Sequence, residues 1–124
     1  LVAEDEKGLQ FIIALMLRQA NYKVSLTDNG ARAYETILAA QRSAEPVDLL
    51  ITDIEMPEFG GEELIARLAE ARIKLPIIVI TGYPEEGFDL GSVRNGSITC
   101  INKPFEPKTF MECVQAMLAN QGRF

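Results

Sequence analysis

The chain has no histidine among its 124 residues, so imidazole-ligated zinc sites and histidine-based catalytic triads are all but excluded. It has only two cysteines, Cys100 and Cys113, in apolar surroundings and without metal-ligand spacing. They read as reduced core thiols of a cytoplasmic protein. No apolar run approaches membrane-spanning length, so no membrane partner is expected. A signal-peptide pattern is also missing. Lysine and arginine number 12 against 18 acids, and this net charge of −6, without a basic cluster, argues against direct nucleic-acid binding. A start at Leu1 rather than Met gives the expectation of a trimmed piece whose first strand lacks its opening residues.

What is present fits one domain over residues 1–124, since 48% hydrophobic and 24% charged residues are ordinary for a chain that buries its own core. Strand and helix signals alternate along it. Leu1-Val2-Ala3 is followed by Leu9, Ile12, Ile13, Met16, Leu17 and Ala20 at the spacing of one helix face. Lys23 to Thr27 reads as an alternating strand, and Asp28-Asn29-Gly30 as a turn that caps a helix carrying Ala33, Ile37, Ala40 and Gln41. Val47 to Asp53 and Pro76 to Thr81 are near-continuous apolar runs, as strands buried on both faces should be. Gly60-Gly61 opens a helix with Leu64, Ile65 and Leu68 on one face. Pro84, Gly87 and Gly91 allow only a short or irregular helix between Pro84 and Arg94. Ile98 to Ile101 reads as the fifth strand. Phe110, Cys113, Val114, Met117 and Leu118 mark the last helix. Strict alternation implies right-handed crossovers and a parallel sheet covered on both faces, an α/β doubly wound fold.

In such a sheet the carboxyl ends of the strands gather at one crevice. Four strand-like runs end in chemistry: Glu4-Asp5, Asp53, Thr81, and Asn102-Lys103-Pro104. Taken singly, each has an ordinary explanation. Asp53 before Met56-Pro57 is a turn former, Glu4 and Asp5 are solvated acids near a helix start, Thr81 is a strand-end hydroxyl, and Lys103-Pro104 is a surface turn. Their joint placement is much harder to explain that way. Three carboxylates at one sheet edge repel one another, and a hard divalent cation such as Mg²⁺ is the simplest compensation. Beside such an ion a carboxylate can attack a phosphoryl group. Lys103 would supply positive charge and Thr81 a hydroxyl to the phosphoryl oxygens. The implied reaction is phosphoryl transfer onto Asp53, giving an acyl phosphate that water later hydrolyses.

Together, Glu4-Asp5, Asp53-Ile54-Glu55-Met56-Pro57, Thr81-Gly82 and Lys103-Pro104-Phe105 resemble the signature of the response-regulator receiver domain of two-component signalling, of which the chemotaxis regulators are members. The resemblance covers essentially the whole chain. It implies a flavodoxin-like (βα)5 fold with a five-stranded parallel sheet. It also implies Mg²⁺-dependent phosphorylation by a histidine kinase or histidine phosphotransfer domain, with Asp53 as phosphoacceptor and metal ligand. Asp5 is then the direct acidic ligand, Glu4 its partner, and the backbone carbonyl of Glu55 the third protein ligand. Thr81 becomes the switch hydroxyl, Lys103 the phosphoryl-pairing lysine, and Lys103-Pro104 a cis peptide. Such a domain promotes only its own phosphorylation and dephosphorylation. It leaves open an effector domain in the same full-length chain, and a homodimer.

The chain departs from the family where an aromatic switch partner would stand, at Cys100. Glu55 and Tyr83 occupy the positions that tune acyl-phosphate lifetime, and the stretch after Tyr83 is expected to be mobile or atypical. Two rival functions follow. One is a receiver-fold interaction module independent of phosphorylation, supported by Cys100. The other is a small Mg²⁺-dependent phosphatase resembling the haloacid dehalogenase class, which would want an aspartate where Glu55 stands and a cap domain.

Overall fold

The computed structural model describes residues 1–56, 59–82 and 98–121. Five strands form one sheet: β1 (Val2–Ala3), β2 (Leu26–Thr27), β3 (Leu50–Asp53), β4 (Ile77–Thr81) and β5 (Ile98–Asn102). Their spatial order is β2-β1-β3-β4-β5, and every pairing is parallel. This is the flavodoxin-like order, whose direction reverses between β1 and β3. Four helices stand among the described residues: α1 (Lys7–Gln19), α2 (Gly30–Gln41), α3 (Gly61–Glu70) and α4 (Pro107–Gln121). The expected helix between Pro84 and Arg94 lies outside the described residues, as does Tyr83.

Parallel strands need crossovers, and the helices that supply them cover both faces of the sheet. Alternate residues of the central strands therefore enter two cores. Ile51, Ile78 and Ile80 pack with Ile13 and Leu17 of α1 and with Phe110, Val114 and Met117 of α4. Leu50, Ile77 and Val79 pack with Ala33 and Ile37 of α2 and with Leu64, Ile65 and Leu68 of α3. Every residue of β3 and β4 is buried, which is why these two strands read as unbroken apolar runs.

Local chemistry sets the helix ends. The Asn29 side chain caps α2 by accepting from the Arg32 amide at 2.9 Å. Asn21, at φ 70°, turns the chain out of α1 in the left-handed region that asparagine tolerates. The Lys103-Pro104 peptide is cis, as the resemblance implies.

Three expectations need correction. The second strand is shorter than Lys23–Thr27, because only Leu26 and Thr27 find ladder partners, on β1. The third begins at Leu50 rather than Val47 for the same reason. The buried stripe of α1 is Gln10, Ile13, Ala14 and Leu17, while Ile12 and Ala20 face solvent. The polar Gln10 belongs on that inner stripe because its amide donates to the carbonyls of Glu4 at 2.9 Å and Thr27 at 3.3 Å, stitching α1 to the top of β1 and β2. Phe11, Ile12 and Leu15 are left exposed at 67%, 50% and 46%.

Phe110 is fully buried and stacks on Phe105 with ring centroids 5.2 Å apart. Truncating it removes a large apolar side chain and leaves a cavity. Phe110→Ala is expected to lower unfolding free energy by about 3–5 kcal/mol in urea titrations. Phe11→Ala, on the exposed face of α1, should change it by no more than about 0.5 kcal/mol. Equal effects would contradict the assignment of the two faces.

Candidate functional site

The site is built where the strand order reverses. β1 runs out at Ala3 and hands the chain to Glu4 and Asp5, while its neighbour β3 ends at Asp53. Glu4 is 1% exposed and Asp53 is 6% exposed. Asp5 is exposed, and one carboxylate oxygen from each of the three acids lies within 4.8 Å of the others. On the other side of Asp53, β4 brings Thr81, also buried, one residue beyond the Ile80 that pairs with Asp53. β5 pairs Asn102 with Thr81, so Lys103 emerges at the same edge, and its amide donates to the Thr81 carbonyl at 2.7 Å. The chain thus gathers Glu4, Asp5, Asp53, Thr81 and Lys103 as their positions at strand ends led one to expect.

Asp53 is held at both oxygens. Its Oδ1 accepts from the Glu55 amide at 3.2 Å, and its Oδ2 accepts from Lys103 Nζ at 3.0 Å. Lys103 Nζ also lies 3.9 Å from Glu4 Oε1, close enough to feel the charge but too far for a hydrogen bond. Partial burial pulls the Lys103 ammonium down. The hydrogen bond and charge of Asp53, with the charges of Glu4 and Glu6, outweigh that and hold its pKa above the ordinary lysine value.

Glu4 is in the most costly position. Its Oε2 accepts from the Glu6 amide at 3.0 Å, but Oε1 is buried with no hydrogen-bond partner. Desolvation raises its pKa to about 7, the Glu6 amide opposes this, and the neighbouring Asp53 charge adds to it. A buried carboxylate oxygen left without a partner asks for a proton or a cation. The donors here are hard oxygens, three carboxylates and the exposed loop at Glu55. One lysine cannot balance three acids, and a small divalent ion fits both the charge and the ligand type.

A family model described as "Response regulator receiver domain" matches residues 1–115. The chain belongs to the response-regulator receiver family. Receivers of this family act in phosphorylation-based signalling and bind Mg²⁺ at an acidic cluster of this kind. Among relatives, the response regulator receiver protein CpdR of Brucella abortus is 35% identical over 95% of this chain and 94% of its own length. The transcriptional regulatory protein FixJ of Rhizobium meliloti is 28% identical over 92% of this chain, which spans only 53% of FixJ. Solved folds agree. The signal receiver domain of a LuxO-type repressor from Vibrio parahaemolyticus superposes with a TM-score of 0.83 at 18% identity, covering 97% of this chain and 88% of that one. The receiver domain of sensor histidine kinase PA1611 from Pseudomonas aeruginosa superposes at 0.75 with 24% identity, covering 95% and 94%, and that protein holds a magnesium ion in its active-site cleft.

Sequence reasoning missed Gln10, whose polar side chain was hidden inside an apolar helical stripe. The signal was available: a glutamine one turn after an acid pair, at the end of a strand, is placed to satisfy strand carbonyls. It also missed the Glu6 amide as the donor that orients Glu4, because a backbone donor leaves no mark on residue type.

The raised pKa of Glu4 sets a pH dependence. Between about pH 4.5, the ordinary glutamate value, and about pH 7, the folded state keeps a proton that the unfolded chain has released. Stability of the cation-free protein therefore falls as pH rises through that window. Glu4→Gln should stabilise the cation-free fold at pH 8 by on the order of 2 kcal/mol and by much less at pH 4, with thermal melts in chelator as the measurement. A Glu4→Gln effect independent of pH would show that Glu4 is not the titrating group.

Proposed function

We propose that this receiver accepts a phosphoryl group from a phosphohistidine donor onto Asp53 in a Mg²⁺-dependent step, and that the resulting acyl phosphate alters what the β4–β5 edge binds. The observation that carries this reading is the fixed, buried Asp53 carboxylate, bonded to Glu55 N–H and Lys103 Nζ beside two further acids. Glu4, Asp5, Asp53 and the Glu55 backbone carbonyl would hold the ion, which neutralises charge on carboxylates and phosphoryl group alike.

The chain's own residues supply the rest. The Glu55 amide and Lys103 orient the Asp53 carboxylate before the donor arrives. An Asp53 oxygen attacks phosphorus as the bond to the donor imidazole breaks, and the electron pair leaves on that nitrogen. Lys103 turns its charge to the phosphoryl oxygens, and the Thr81 hydroxyl donates to one of them. In the second half, water attacks phosphorus, the P–O bond to Asp53 breaks, the water's protons leave with the inorganic phosphate and the carboxylate is restored. Transfer and hydrolysis act on the chain itself, so the domain works as a signalling switch without a turnover substrate.

A protein donor must bring its imidazole to the mouth of this site. α1 leaves from that mouth, and Phe11 sits one turn into it, roughly 6 Å along the axis from Lys7. Phe11, Ile12 and Leu15 form an exposed apolar patch there, suited to the apolar side of a helical phosphodonor. An effector domain elsewhere in the full-length protein belongs to the same proposal, because FixJ and the Aneurinibacillus migulanus regulator GtcR are about twice the length that this chain spans.

Cys100 favours a second reading, an interaction module that no longer needs phosphate. It is a half-buried thiol on β5 where the resemblance calls for an aromatic. The intact set of Glu4, Asp5, Asp53, Thr81 and Lys103 weighs against that reading.

Incubation with Mg²⁺ and acetyl phosphate, read by intact mass and amide NMR, separates the two. Wild type should gain one phosphoryl group and Asp53→Asn none, while Lys103→Ala should slow the gain by about 100-fold. A folded wild type that binds Mg²⁺ and gains nothing would instead support the phosphate-independent module.

Docking is tested separately. Phe11→Ala with Leu15→Ala should slow transfer from a phosphohistidine-loaded phosphotransfer domain by about tenfold and leave acetyl phosphate kinetics unchanged. A wild-type rate of transfer from the phosphotransfer domain in the double variant, or an equal slowing with both donors, would remove the α1 face from the proposal.

A further inference from the structure

The residues that lead into α3 are gripped from the side by a helix that contributes no residue to the acidic cluster. The amide of Gly30, the first residue of α2, donates to the Phe59 carbonyl at 2.9 Å. The amide of Gly61, at the start of α3, donates to the Ile54 carbonyl at 2.9 Å. At both points the backbones approach too closely for a side chain. A Cβ on Gly30 would collide with the Phe59 ring and stand 2.5 Å from the Phe59 carbonyl oxygen. One on Gly61 would collide with the Asp53 carbonyl oxygen, and one on Gly60 would stand 2.7 Å from the Ile54 oxygen. None of the described glycines has a positive φ, so space rather than backbone conformation selects glycine here. Gly8, in contrast, has nothing within 4 Å of an added Cβ.

Glu55 lies between these anchors. Its amide orients Asp53 Oδ1 at 3.2 Å, and its carbonyl is the proposed third protein ligand for the ion. Mg²⁺ accepts only a narrow range of ligand distances near 2.1 Å, roughly, so a carbonyl displaced by a few tenths of an ångström is a poorer ligand. We propose that Gly30 is a positioning residue. Through the Phe59 carbonyl it holds Phe59-Gly60-Gly61, whose Gly61 amide is bonded to the Ile54 carbonyl next to Glu55, and it thereby couples α2 to the divalent-cation affinity of the site. The coupling is reciprocal, so an ion in the site tightens the α2 contact as much as the contact favours the ion. This inference rests on the reading of the acidic cluster as a Mg²⁺ site.

The test is a Mg²⁺ titration of wild type, Gly30→Ala and Gly8→Ala, following the Glu55 and Asp53 amides by NMR, with thermal melts in chelator alongside. Gly30→Ala should remain folded and bind Mg²⁺ about tenfold more weakly, with a displaced Glu55 amide resonance, while Gly8→Ala matches wild type. A purely structural role for Gly30 would move the melting temperature alone. Wild-type affinity in folded Gly30→Ala overturns the inference and leaves the Mg²⁺ reading standing. A wild type that binds no Mg²⁺ removes both. If Gly30→Ala does not fold, hydrogen exchange of the Gly30 amide in wild type decides. Saturating Mg²⁺ should slow it by about tenfold, by the same reciprocity, and an unchanged rate overturns the inference.

Discussion

Everything at the functional end of this molecule depends on like charges being held where they would rather not be. Glu4 and Asp53 are buried beside each other and beside exposed Asp5, with Lys103 as the only cation bonded to Asp53 among the described residues. Water cannot screen such a group well, and the energetic consequence shows at Glu4, whose proton is held to about pH 7. The fold tolerates this because the acids sit on rigid backbone. Asp53 ends, and Glu4 and Asp5 follow, a strand paired on both sides, and β3 and β4 are buried along their whole lengths. A cluster of acids on a flexible loop would simply spread apart. Held on a sheet it stays poised to take up positive charge.

The sheet order explains why these residues, and not others, share the crevice. Between β1 and β3 the chain sends α1 to one face and α2 to the other, which leaves the strand ends uncovered there. That opening lies between Asp5 and Asp53. β4 and β5 then add a hydroxyl and an ammonium in order, through the register that pairs Asp53 with Ile80 and Thr81 with Asn102. Function here is a property of strand endings, and the two cores below serve to keep those endings aligned.

This is also why so much was legible from sequence. Buried parallel strands need apolar side chains on both faces, so Ile77 to Thr81 announces itself, and the residue that breaks each apolar run is the one at the crevice. Less legible was anything settled by partners far along the chain. The second strand is short because only Leu26 and Thr27 reach β1, a fact of pairing rather than propensity. Gln10 turned inward because two strand carbonyls needed a donor, which apolar periodicity cannot register. Gly30 reads locally as a turn glycine beside the Asn29 cap. Its reason for lacking a side chain is Phe59, far along the chain and just ahead of α3.

Cys100 bears on how a change at Asp53 travels outward. A thiol is small, and at this place on an edge strand, opposite Val79, it cannot sweep the volume that an aromatic ring would. On the proposed reading, movement of Thr81 toward a phosphoryl group must be transmitted some other way. Backbone offers one: the Lys103 amide is bonded to the Thr81 carbonyl at 2.7 Å, and Lys103 Nζ is bonded to Asp53. Displacement of the Lys103 side chain by a phosphoryl group would therefore act on both ends of one short segment, pulling on the end of β4 through the main chain. The paired strands resist bending singly, so β4 and β5 would shift together. A receiver that lacks the aromatic thus retains a mechanical link from its carboxylate to its outer edge, made of hydrogen bonds instead of a rotating side chain.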